Sequence, residues 1–130
     1  MPVARLVFYF EVVSNLGSAA FALIFPALFV AQFSAEAVPP PAIELGRWYA
    51  VLLIVLSLVL WAALREGGDR FLRRVLAAYL IGDAFQIAVA VRLGVAVGAF
   101  PLIAHVAIWT SVFYAGVRIY YLRGSRRDRA

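Results

Sequence analysis

Cysteine and lysine are absent from the 130 residues, and histidine occurs once, at His105. Disulfides, thiolate metal sites and cysteine nucleophiles are therefore excluded, and a histidine-rich metal centre cannot be built. Charge is also scarce. Only 15% of residues are charged and 65% are hydrophobic, whereas soluble domains carry roughly 25% charged residues and about half apolar ones. That leaves too little polar surface to coat a water-soluble globule. Phosphate-binding glycine loops, nucleophile elbows and metal motifs are missing too, so neither a metal nor a cofactor is expected.

What the chain does have is long apolar runs. A helix that crosses a bilayer needs about 20 residues, and four segments qualify, at approximately 6–32, 48–64, 75–92 and 101–122. The first carries Glu11 as its only charge between Arg5 and Glu36. The second, from Trp48 to Leu64, is uncharged and has aromatic residues at both ends, where headgroups would lie. The third is apolar apart from Asp83 and Gln86, and a tight turn around Gly94 to Gly98 leads to the fourth. Pro101 suits that helix's first turn, where no intrahelical N–H bond is lost. Pro26 should kink the first segment near its outer end. Strands are disfavoured because open sheets leave unpaired edges in lipid. The expectation is one all-α domain over residues 1–130, a bundle of four transmembrane helices.

The arginines orient it. Arg5, then Arg65, Arg70, Arg73 and Arg74, then Arg123, Arg126, Arg127 and Arg129 fall on one side of a four-span chain. The other side receives Arg47 and Arg92, with Glu36, Glu44 and the run Pro39-Pro40-Pro41. The positive-inside rule then places both termini in the cytoplasm of a multi-pass protein of the cell (inner) membrane. Because the arginines flank apolar runs instead of lining one soluble face, the formal charge of +5 points to the bilayer as partner and not to nucleic acid. The basic tail reads as an anchor near anionic lipid. Ala35-Glu36-Ala37 resembles a signal-peptide cleavage site, but the apolar stretch before it exceeds a signal core of roughly 7–15 residues. It also carries Glu11, Asn15 and Pro26.

A charge at the bilayer centre costs at least about 2.5–3.5 kcal/mol, so intramembrane acids are functional candidates. Glu11 and Asp83 lie roughly 9 and 13 Å beyond Arg5 and Arg74 at ~1.5 Å per residue, and so at comparable depth. They are the catalytic candidates. Asn15, Tyr79 and Gln86 share their helix faces, and His105 comes near the level of Gln86. With Trp109 and Tyr114 these four form the candidate ligand-binding set of six. Two carboxyls meeting in low dielectric cannot both ionise cheaply, so one could hold a proton for a substrate or for transport. The competing reading is an interhelical clamp, with Arg118 reaching Glu11 and Asp83 bonded to Tyr79, Asn15 or Gln86. Exposure to an aqueous vestibule is a third. Stripes of small residues, Ser14-Ser18-Ala22 and Ala107-Ser111-Ala115, mark helix contacts within one chain or between two, so a homo-oligomer stays open.

At Phe8-Tyr9-Phe10-Glu11, at Leu80-Ile81-Gly82-Asp83 and at Arg118, the chain resembles a family of small four-helix membrane proteins known mainly from fungi, which has no established activity. That family's pattern places a histidine three residues after the Gly-Asp pair, where this chain has Gln86. In outline it is also similar to sterol-isomerase-like and sigma-2-receptor-like bundles, to membrane terpene cyclases and to small multidrug transporters. The functional expectation is a pocket for a lipophilic small molecule beside Glu11 and Asp83, with acid–base chemistry such as isomerisation or cyclisation. The alternatives are a homodimeric proton-coupled transporter and a non-catalytic partner subunit.

Overall fold

A computed structural model describes residues 2–34, 36–98 and 100–127. Ala35 of the cleavage-like triplet and Arg129 of the basic tail lie outside the described residues. Among the described residues every regular element is a helix: α1 (Pro2–Ile24), α2 (Pro26–Ala31), α3 (Pro40–Arg65), α4 (Asp69–Val97) and α5 (Leu102–Arg127). Four stretches, Val3–Ile24, Pro40–Arg65, Asp69–Ala96 and Leu102–Gly124, are long and apolar enough to cross a membrane. The chain is thus an all-α, multi-pass integral membrane protein.

Proline and glycine set the helix boundaries. Pro26 has no N–H to give the Ala22 carbonyl and its ring crowds that turn, so α1 ends at Ile24 and the short α2 sets off at a new angle. Bonds from Phe25 N to Phe21 O (2.8 Å) and from Phe29 N to Phe25 O (2.9 Å) carry the ladder across the break. The run Pro39 to Pro41 starts a helix instead of belonging to a connection. Pro39 is the extended cap and its carbonyl accepts from Ala42 N at 3.0 Å, while Pro40 and Pro41 occupy the first turn, whose N–H groups have no partner anyway. α4 begins at Asp69, whose carboxylate suits the positive end of the helix dipole. It runs through Gly94 and ends at Gly98, which takes the left-handed conformation (φ 69°) that a side chain would resist. Pro101 stands just before α5, and its carbonyl accepts from Ala104 N and His105 N.

Buried positions recur every three or four residues, as helix packing requires: Ala4, Phe8, Glu11, Val12, Ala19 and Ala22 on α1, and Gly46, Ala50, Ser57, Leu60, Ala63 and Leu64 on α3. The many small residues let these two backbones come close where lipid supplies no hydrophobic drive between helices. At the arginine-rich end one core joins four helices: Phe8 and Val12, Leu60 and Leu64, Leu72 and Leu76, and Tyr121. Tyr121 sets its ring edge-on to Phe8, with centroids 5.9 Å apart, and donates to Asp69 Oδ1 at 3.2 Å. Toward the far end a second core, of Ala19, Ala22, Phe29 and Ala50, draws only on α1, α2 and α3. There Phe29 stacks on Tyr49 with centroids 5.4 Å apart. The molecule is therefore two hairpins, α1 with α3 and α4 with α5, closed against each other at the arginine-rich end and parted beyond it.

Candidate functional site

Just above the shared core the closing side chains become polar. Arg118 faces inward from α5, two heptads after Ala104 and one after Ser111, and all three are buried. Its guanidinium is fully buried between the hairpins, donating from Nη2 to Glu11 of α1 and from Nη1 to Asp83 of α4. The ring of Tyr79 lies 5.1 Å and that of Tyr114 5.6 Å from its Cζ, so two aromatic faces flank the cation. The hydroxyl of Tyr79 donates to the Leu56 carbonyl, tying α4 to α3. Ser14 donates to the Glu11 carbonyl at 3.0 Å.

This ion triplet forms the floor of a cleft. A cavity of about 350 Å³ is lined by Glu11, Asn15, Tyr79, Asp83, Gln86 and Tyr114, among others. A second, of about 800 Å³, continues toward the far end between Phe29, Val30, Leu45, Phe85, Val89 and Ile103. Asn15, Tyr49, Leu53, Gly82, Gln86 and Thr110 line both, so the two are one space. Both parts have largely apolar walls, and the two acids sit only in the inner one. The Thr110 hydroxyl is occupied by its own helix, donating to Val106 O at 2.7 Å.

Of the residues singled out from the sequence, Glu11, Asp83, Asn15, Tyr79, Gln86 and Tyr114 come together around the first cavity. His105 and Trp109 line neither. His105 is exposed and packs on Phe100, with ring centroids 5.7 Å apart, and Trp109 is 66% exposed on the outward face of α5. Asp83 takes Arg118 as its partner, not Tyr79, Asn15 or Gln86. Tyr49 was not singled out. Among the described residues no three His, Cys, Asp or Glu side chains converge as a metal ion would require. The chain matches no protein-family model, no curated protein and no solved structure.

Proposed function

We propose that this protein, with its arginine-rich end in the cytoplasm, binds a lipophilic small molecule in the cleft between its two hairpins. The observation that carries the reading is the continuity of the two cavities over a buried ion triplet. Small-molecule sites are concave spaces of roughly 300–1,000 Å³ with apolar walls and a few placed polar groups. A cleft at this depth in a membrane protein also opens toward hydrocarbon, so its natural visitors are molecules dissolved there. Both acids are committed to one guanidinium, which suits holding a ligand better than trading protons with it.

Gly82 provides the test. It lines both cavities, and a Cβ built there meets no other atom within 4 Å. Gly82→Phe should therefore fill the junction without disturbing the helices. In phosphatidylcholine nanodiscs the unmodified protein should bind a dansyl-tagged fatty alcohol, and the variant should bind it at least about tenfold more weakly with unchanged helicity. Equal binding by the two, or none by the unmodified protein, refutes the reading. The burial of Arg118 favours a second reading, a non-catalytic subunit whose triplet only locks the helices. That reading expects no lipophile binding by either protein.

A further inference from the structure

The following inference rests on the pocket reading above and concerns the head group of the occupant. The formal charges on the cleft floor do not cancel, because Arg118 brings one positive charge against the two negative charges of Glu11 and Asp83. The other titratable groups around the space are phenols: Tyr49 from α3, Tyr79 from α4 and Tyr114 from α5. Among the described residues no arginine lines either cavity, and Arg118 itself is fully buried beneath the two acids. An uncompensated charge in low dielectric is costly, and either a proton or a bound cation could compensate it.

Two features favour the cation. Arg118 bonds both acids but leaves one oxygen over, since among the described residues Glu11 Oε2 has no hydrogen-bond partner although Glu11 is only 4% exposed, and Arg118 Nε has none either. Asp83 meanwhile holds Arg118 through Oδ2 yet keeps 13% of its side chain exposed on the cavity wall. A charged head placed there lies beside an acid in a cavity that Tyr49 also lines, with the larger, mainly apolar cavity beyond for a hydrocarbon body. A neutral lipophile would leave the excess charge unchanged, and a carboxylate would add to it. We infer that the occupant is a lipophilic amine, bound as its ammonium with the head at Asp83 and the chain extending into the cleft.

The test is displacement of the dansyl-tagged fatty alcohol by decylamine and by decanol in nanodiscs of neutral lipid. A charge-assisted contact in place of a neutral one predicts that decylamine competes roughly 10- to 100-fold better. Asp83→Asn should reduce that preference to near unity, and Asp83→Glu should retain it. Comparing variants cancels the amine's own partitioning into the bilayer. If decylamine and decanol compete equally with the unmodified protein, a proton balances the triplet and the inference fails while the pocket stands. If the tagged alcohol never binds, the pocket reading fails first. With both competitors expressed as their concentrations in the bilayer, the unmodified protein decides between amine and alcohol even where a variant does not fold.

Discussion

Replacing Arg118 by methionine should be the most damaging single change in the bundle. Methionine approximates the length of the lost side chain, so the effect is mainly one of charge. Two carboxylates, with side chains 6% and 13% exposed, would lose their common partner. Breaking a buried pair by deleting one member costs about 3–5 kcal/mol, and here one deletion strands two acids, which argues for the upper end. Glu11→Gln acts differently. It removes one negative charge, leaves Arg118 and Asp83 balanced, and loses one charge-assisted hydrogen bond, worth about 1.5–3 kcal/mol. Removing all three charges together, as Arg118→Met with Glu11→Gln and Asp83→Asn, should recover most of the loss, because replacing an entire buried ion group is often neutral or stabilising. Unfolding free energies from SDS titration in mixed micelles, followed by far-UV circular dichroism, would measure the series. A triple variant as unstable as Arg118→Met, or additive single effects within about 0.5 kcal/mol, would show that the three side chains are not one network.

Two other outcomes follow from the packing and the topology. At Gly46 a Cβ would lie 2.7 Å from Val30 Cγ2, so Gly46→Leu should push α2 off α3 and lower stability by about 1–3 kcal/mol, read in the same titration. Because the chain has no cysteine, Gly68→Cys and Glu36→Cys give single labelling sites at opposite ends of the bundle. In intact cells an impermeant maleimide should modify the second and spare the first, and the reverse pattern would invert the assigned orientation.

Hydropathy made the four spans legible, because an apolar run of bilayer length has few other uses. Their ends were less so. Pro39 to Pro41 reads as a connection, yet proline is tolerated where the first turn's N–H groups go unused. Asp69 to Arg74 looks too charged for a span, but arginines at a helix end can bury their stems and keep their heads in water, so α4 starts six residues before Val75. The acids could be singled out by their cost. Their shared partner could not, since linear spacing does not say which way each helix is rotated in the bundle. On α5 the buried face passes through Ala104, Ser111 and Arg118. His105 is one residue, about 100°, off that line, and Trp109 is also off it, which is why neither reaches the cleft.

The cleft itself is written in side-chain size. Below the triplet the hairpins are sealed by Phe8, Leu60, Leu72 and Leu76. Above it, the positions where leucine or phenylalanine could have continued the seal are Asn15, Ser18, Gly82, Ala90, Ala104 and Ala107. Since lipid chains pack against apolar residues as readily as a neighbouring helix does, such small and polar residues gain nothing by facing hydrocarbon. Small residues at a helix interface normally draw backbones together, as they do between α1 and α3, but here they face across an open space. The triplet resolves the contradiction. Arg118 bonds Asp83 within its own hairpin and Glu11 across to the other, fixing how far apart the two pairs stand at the floor. The outer halves are free to diverge because the joint below them is made by charge, and charge holds at a set distance where apolar packing would have closed the gap.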